Sequence, residues 1–130
     1  MHDLTGNTLP LIQAPMAGVQ GSALARAVCA AGGLGSLPCA MLAPDALRRE
    51  LDALRAGTAQ AFNLNFFCHA PPEADARREQ AWRYALAPYY RESGLDETGI
   101  PAGPGRAPFD ARVANLIEPY RPAVVSFHFG

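Results

Sequence analysis

The sequence contains no lysine, because all eleven of its basic residues are arginine. A lysine nucleophile, a Schiff-base lysine and the lysine of a phosphate-binding P-loop are therefore excluded. An excess of either charge is also missing, since eleven basic residues against twelve acidic ones leave a formal net charge of -1. A broad basic surface is not available for nucleic acid or anionic lipid, so neither is expected as a partner.

Long apolar runs and targeting signals are missing as well. No window reaches the roughly eighteen consecutive apolar residues of a membrane span. The first residues, Met1-His2-Asp3-Leu4, lack the basic start of a secretory signal. We therefore expect a cytoplasmic protein without membrane association.

Paired cysteines are a third absence. Cys29, Cys39 and Cys68 form an odd set with no CxxC pair, which fits neither a disulfide framework nor a zinc ribbon. Unpaired cysteine behaves as a small apolar side chain. We predict three free, largely buried thiols and no metal site.

What the sequence does contain is a regular alternation of apolar strands and amphipathic helices. Short apolar segments predict four strands, at 9–14, 34–37, 60–66 and 123–127. Ser22 is the expected N-cap of the first helix, and the segment 93–108, rich in Gly and Pro, is expected to be a loop. Helical spacing predicts four helices. The first two run from Ser22 to Gly32-Gly33 and from Pro44 to Gly57. The third aligns Trp82, Leu86 and Tyr89, and the fourth, from Pro108 to Pro122, aligns Val113, Leu116, Ile117 and Tyr120.

This alternation predicts the fold class. Strands that alternate with helices form βαβ units, in which the strands are parallel and the helices pack outside the sheet. The fold class is therefore α/β. Periodicity alone leaves two architectures open, a doubly wound open sheet and part of a (β/α)8 barrel.

The glycine cluster at residues 32–35 is not a dinucleotide-binding motif. A Rossmann fingerprint needs G-x-G-x-x-G between a strand and a helix, whereas this cluster precedes its strand and has Pro38 where the third glycine should stand. We expect Gly32 and Gly33 to end a helix instead.

Candidate binding residues follow the predicted strands, where parallel α/β proteins place their ligands. The loop 13–18 has small residues that let the backbone approach a flat ligand, although an ordinary βα turn would have the same composition. Asn65 can donate and accept hydrogen bonds at once, and Asn63 shares its face, so one of the two could simply satisfy neighbouring backbone. The adjacent Cys68 and His69 are expected at the rim rather than in a catalytic or metal site.

His128 is the strongest single candidate for catalysis. It follows the last predicted strand, between Phe127 and Phe129. A partly desolvated imidazole there would stay neutral, and it could accept a proton or hydrogen-bond an anionic substrate. The alternative is a chain-end residue without a role.

Four segments together resemble the nitronate monooxygenase family, formerly called 2-nitropropane dioxygenases. They are 11–19 (LIQAPMAGV), 30–37 (AAGGLGSL), 62–67 (FNLNFF) and 124–130 (VVSFHFG). The first two are similar to the wider superfamily of flavin barrels, which includes FMN-dependent enoyl-acyl-carrier-protein reductases. The last is more specific and favours the nitronate branch.

The resemblance implies a TIM-type (β/α)8 barrel that binds FMN at the carboxyl ends of its strands and oxidises alkyl nitronates with O2 to a carbonyl compound and nitrite. It implies that His128 lies near flavin and substrate as the catalytic residue and that Asn65 hydrogen-bonds the flavin. The backbone expected against the isoalloxazine ring is that of Ala14, Pro15, Met16, Ala17 and Gly18.

Length limits this expectation. A barrel of this kind takes about 250 residues, so residues 1–130 are expected to be its N-terminal half, one partial domain of about four βα units truncated after the fourth strand. The family's phosphate-binding loops and a second active-site histidine would then lie elsewhere. Two alternatives stay open, an enoyl-reductase-like flavoprotein and a non-catalytic truncated product, as do the natural nitronate and the oligomeric state.

Overall fold

The computed structural model describes residues 5–70, 73–96, 98–99 and 107–129. The chain divides into two compact units. One comprises Met1–Ala70 with Arg106–Gly130, and the other is Pro71–Gly105. Each unit is considered by itself below.

The first unit is built on one parallel sheet. In chain order its elements are α1 (Ser22–Ala30), β1 (Gly35–Pro38), α2 (Pro44–Gly57), β2 (Phe62–Phe67), then α4 (Ala111–Ile117), a 3-10 turn (Glu118–Tyr120) and β3 (Val124–His128). The strands lie in the order β1-β2-β3, and both pairings are parallel. The predicted α/β class with a parallel sheet is confirmed.

The first predicted strand, 9–14, is shorter than expected. It forms one isolated parallel bridge, between Ile12 and Leu34, supported by hydrogen bonds from Gln13 N to Leu34 O at 3.0 Å and from Leu34 N to Leu11 O at 2.8 Å. The segment that pairs with it follows directly after a turn at Gly32, where φ is +92°. Within the described residues the sheet therefore has three full strands and this bridge, rather than four strands.

The apolar core lies between the sheet and its helices. Alternate residues of a strand point to opposite faces, and Leu37, Leu64 and Val125 are partners across the three strands. Leu47, Leu51 and Leu54 of α2 are buried, as predicted. The buried apolar residues of this cluster are Ala25, Cys29, Leu37, Cys39, Leu47, Leu51, Leu54, Phe62, Leu64, Phe66, Leu116 and Ile117.

The helix ends differ from two predictions. The N-cap of α1 is Gly21, and Ser22 is its first helical residue, so the prediction of a Ser22 N-cap is wrong. A carboxylate from α2 replaces the missing cap, because Ser22 N donates to Glu50 Oε2 at 2.6 Å. The helix expected from Pro108 begins at Ala111, where the Asp110 side chain accepts from Val113 N at 2.9 Å.

The second unit contains α3 (Ala76–Glu92), capped by Asp75. The predicted apolar face of this helix is not buried, since Trp82 is 62% and Tyr89 65% exposed. Much of the predicted loop 93–108, namely residues 97 and 100–106, lies outside the described residues. No helix in the described ranges is both long and apolar enough to cross a membrane.

Replacing Glu50 by glutamine should lower the free energy of unfolding at neutral pH by about 1 kcal/mol, as the loss of a helix cap does. The hydrogen bonds from the side chain and backbone of Ser22 lower the pKa of Glu50 from its usual value of 4.5. A carboxylate whose pKa is lower in the folded state stabilises the protein above its unfolded pKa and ceases to do so as the pH falls through the folded pKa.

Urea denaturation across that acidic range checks this prediction. The difference between wild type and Glu50→Gln should shrink below pH 4.5, the usual value. The exposed Glu92 offers a matched control, since Glu92→Gln should leave stability nearly unchanged at every pH. An equal effect of both substitutions would contradict the capping role of Glu50.

Candidate active site

The face of the sheet opposite the helices carries a line of polar side chains. Strand register pairs Ser36 with Asn63, Asn65 with Ser126 and Phe67 with His128. Ser36, Asn63 and Asn65 are almost fully buried, with exposures of 0%, 3% and 3%. We call this set the polar stripe: Gln13, Ser36, Asn63, Asn65, Ser126 and His128.

One end of the polar stripe holds the loop after the first predicted strand. Ser36 N donates to Gln13 Oε1 at 3.2 Å, and Gln13 Nε2 donates back to Ser36 O at 3.1 Å. Gln20 Nε2 donates to the same carbonyl oxygen at 3.1 Å. Both ends of the loop 13–20 are therefore tied to β1.

That loop contains the predicted flavin-contacting backbone. It turns at residues 17–19, where Val19 N donates to Met16 O at 3.3 Å and Gly18 has a φ of +84°. A side chain at residue 18 would be strained in this conformation. Ala14, Met16 and Gly18 are exposed, whereas Pro15 and Ala17 are half-buried. An exposed, apolar turn with two fixed ends can face a flat ligand.

The two asparagines of β2 meet at Ser126 of β3. Asn63 Nδ2 donates to Ser36 Oγ at 3.1 Å and to Ser126 Oγ at 3.0 Å. Asn65 Nδ2 donates to Ser126 Oγ at 2.9 Å and to Ser126 O at 3.2 Å. The expectation that one asparagine satisfies neighbouring backbone holds for Asn65, which also contacts His128.

The last residue of β3, His128, lies with its Nδ1 3.2 Å from Asn65 Oδ1. The amide nitrogen of Asn65 faces a carbonyl oxygen, which can only accept, so the amide oxygen faces the imidazole. Because an amide oxygen can only accept, the ring nitrogen that faces it must donate, and a neutral ring must therefore carry its proton on Nδ1. The lone pair is therefore on Nε2, which is the form needed for a proton acceptor.

The surroundings of His128 are aromatic but open. Ring centroids of Phe67 and Phe129 lie 6.4 Å and 6.0 Å from the imidazole, and these two phenyl rings are 5.0 Å apart. The His128 side chain is exposed in this chain, so the expectation of a partly desolvated ring is not met here. Its hydrogen bond to Asn65, rather than burial, determines which nitrogen carries the proton.

The cysteines lie partly as predicted. All three are free, with Cys29 and Cys39 buried and Cys68 exposed. Burial raises the pKa of Cys39 to about 12, so this thiol stays neutral and unreactive. Cys68 is at the rim, where its backbone N donates to His128 O at 2.9 Å. In the described ranges no three His, Cys, Asp or Glu side chains form a cluster able to hold a metal ion.

A hydrogen-bonded path connects the candidates, from Gln13 through Ser36, Asn63, Ser126 and Asn65 to His128. Sequence reasoning missed Ser36 and Ser126. The available signal was positional, since Ser126 precedes His128 by two residues and so shares its face of the strand.

Comparison with known proteins identifies similar chains. The family model described as nitronate monooxygenase matches residues 1–130. The chain is 44% identical to a nitronate monooxygenase of Paraburkholderia phytofirmans over 98% of its length and 42% identical to one of Pseudomonas aeruginosa, also over 98%. It spans only 35% and 36%, respectively, of those relatives' lengths.

Comparison with solved structures also finds proteins of similar fold. A nitroalkane oxidase from Streptomyces ansochromogenes superposes with a TM-score of 0.75 at 33% identity, covering 99% of this chain and 36% of that one. FabK from Thermotoga maritima superposes with a TM-score of 0.50 at 29% identity, covering 72% of this chain and 27% of that one. The fold described above is thus similar to part of each of these larger proteins.

Proposed function

Because this chain belongs to the nitronate monooxygenase family, we propose that the protein oxidises alkyl nitronates with O2 to a carbonyl compound and nitrite. The observation that carries the proposal is the Asn65–His128 pair, 3.2 Å apart in the C-terminal halves of two adjacent parallel strands. In barrel enzymes this end of the sheet is the catalytic face. The activity is proposed for the whole protein, since the chain covers about a third of its curated relatives.

We propose FMN as the cofactor, and the described residues fit its ring. The turn presents the backbone of Gly18, which has no side chain of its own, and the exposed Met16 provides an apolar surface. The buried Gln20 Oε1 and Asn63 Oδ1 have no hydrogen-bond partner among the described residues, so these two oxygens are acceptors available to a ring N–H. Bound FMN would take electrons from the nitronate and pass them to O2.

Asn65 remains a proposed flavin-binding residue in this site. Its amide nitrogen is occupied by Ser126, but an amide oxygen has two lone pairs and contact with His128 uses one of them. The second lone pair can accept a hydrogen bond from a flavin N–H. Support for Ala14, Pro15, Met16, Ala17 and Gly18 as the ring-contacting backbone comes from the fixed ends of their loop.

The proposed role of His128 follows from its tautomer. With the proton on Nδ1, Nε2 can accept a proton from the carbon next to a nitro group, which leaves the nitronate anion. The protonated Nε2 then donates a hydrogen bond to a nitronate oxygen, and this charge-assisted contact holds the anion. Phe67 and Phe129 provide apolar surface for the alkyl group.

A direct assay tests the proposal. The purified full-length gene product should be yellow, should consume O2 when an alkyl nitronate is added, and should release nitrite. The same assay with NAD(P)H in place of nitronate separates the alternative of an enoyl-reductase-like flavoprotein, which would reduce its flavin with that donor. A well-folded, colourless product without nitrite release would refute both the FMN site and the oxidation.

A further inference from the structure

We infer that Gln13 is a positioning residue, whose side-chain amide replaces a main-chain pair that Pro15 cannot form and thereby holds residues 14–18 away from β1. The inference rests on the proposed function, because this segment is the main chain proposed to contact the flavin ring. Its basis is a set of hydrogen bonds within the first compact unit.

The chain before the loop begins a regular parallel ladder with the segment that leads into β1. Leu34 N donates to Leu11 O at 2.8 Å, and Gln13 N donates to Leu34 O at 3.0 Å. The hydrogen bonds of a parallel ladder are evenly spaced along the strands. The next pair would therefore run from Ser36 N to Gln13 O and from the main-chain nitrogen of residue 15 to Ser36 O.

Proline at position 15 prevents that pair. It has no N–H group and cannot donate to Ser36 O. The Gln13 side chain makes both contacts instead, since Ser36 N donates to Gln13 Oε1 at 3.2 Å and Gln13 Nε2 donates to Ser36 O at 3.1 Å. A main-chain N–H can only donate and a main-chain carbonyl can only accept, so these two groups fix the orientation of the Gln13 amide.

Burial makes the Gln13 amide necessary to Ser36. Ser36 has an exposure of 0% and Gln13 one of 9%, so solvent does not replace a lost contact there. Without the Gln13 amide, Ser36 O would keep its bond from Gln20 Nε2 at 3.1 Å, but Ser36 N would lose its partner. A buried N–H group without a partner is costly, and the ladder position of Gln13 O is where the main chain could supply one.

The early end of the ladder leaves the main chain of the loop available. None of the described hydrogen bonds involves the main chain of Ala14, Pro15 or Ala17. Ala14 is exposed, and Pro15 and Ala17 are half-buried. Main-chain N–H and C=O groups that pair with no strand can bond to the carbonyl oxygens and nitrogens of a flat ring. A ladder continued to residue 15 would draw this segment onto β1 instead.

A double-mutant cycle in the full-length protein tests the replacement of the main-chain pair. Gln13→Met nearly preserves side-chain size but removes both contacts, and it should raise the unfolding constant from urea denaturation about tenfold. Pro15→Ala supplies the missing N–H group, so the ladder can continue through the main chain. In the Pro15→Ala background, Gln13→Met should raise the unfolding constant by only about threefold or less, because the main chain then satisfies Ser36.

The affinity for FMN separates positioning from a purely structural role. Gln13→Met should raise the Kd for FMN, measured by flavin fluorescence titration of the apoprotein, about tenfold, as the loss of one or two hydrogen bonds does. In Gln13→Met/Pro15→Ala the stability should recover while the Kd stays raised, because the loop is then paired with β1. Gln60 is an exposed glutamine before β2, and Gln60→Met should change neither quantity.

Hydrogen exchange of the wild type tests the same contacts without any variant. The Ser36 amide and the Gln13 side-chain amide should both exchange slowly, since each lies in a buried hydrogen bond. A rapidly exchanging Gln13 side-chain amide would overturn the inference even if Gln13→Met does not fold.

Two further results would overturn the inference. One is additive effects of Gln13→Met and Pro15→Ala on stability, and the other is an FMN affinity that recovers together with stability in the double variant. Either result, in a wild type that binds FMN, leaves the proposed function standing. A wild type that binds no FMN refutes the proposed cofactor and the positioning role together, and the stability cycle then shows whether the Gln13 amide replaces the main-chain pair.

Discussion

Replacement of His128 by glutamine should lower kcat/KM of the full-length protein for a neutral nitroalkane, which must first lose the proton next to its nitro group, by about 10² to 10⁴, the usual contribution of a general base. The substitution removes the Nε2 lone pair, while an amide can still bond to Asn65. The side chain of His128 is exposed at the end of β3, so the free energy of unfolding should hardly change. Oxygen consumption and nitrite release measure the loss, and urea denaturation verifies the fold.

His69 supplies the control for that experiment. It lies beside Phe67, as His128 does, with a centroid distance of 6.3 Å, but its ring belongs to the predicted rim rather than to the polar stripe. His69→Gln should retain activity near that of wild type. Equal losses in both variants, or a His128→Gln protein that remains fully active, would exclude His128 as the proposed base.

Replacement of Gly35 by alanine should lower the free energy of unfolding by about 3 kcal/mol, as forced overpacking of a core does. Helix α1 crosses β1 at this residue so closely that an added Cβ would overlap the backbone oxygen of Ala25 and lie 2.7 Å from Cys29 Sγ. A backbone atom within a helix cannot rotate away. The helix must therefore move away from the sheet, and Leu37 and the other core side chains beneath it lose contacts.

Gly57 offers a matched glycine for comparison. The atoms nearest to a Cβ there belong to the side chain of Arg26, which can rotate away. Gly57 is the last residue of α2, and alanine is the better helix former. Gly57→Ala should leave the urea midpoint unchanged or slightly raised. Similar midpoints for Gly35→Ala and wild type would refute the close approach of α1 to β1.

The local sequence pattern was sufficient to predict the elements that bury a single apolar face. The spacing of Leu47, Leu51 and Leu54 predicted helix α2 and its buried face, and Pro44 and Gly57 predicted its ends. The alternation in β2 predicted that Asn63 and Asn65 share a face. The predicted cap at Ser22 failed because the group that satisfies its N–H belongs to Glu50, which is distant in sequence.

The sequence by itself determined the order of helices and strands, the α/β class and the resemblance to nitronate monooxygenases. These properties follow from local periodicity and from short motifs. Only the tertiary structure decided that Asn65, Ser126 and His128 form one hydrogen-bonded group. Strand register brings residues about sixty positions apart into contact, and register depends on how the whole apolar face packs against its helices, for which no local pattern exists.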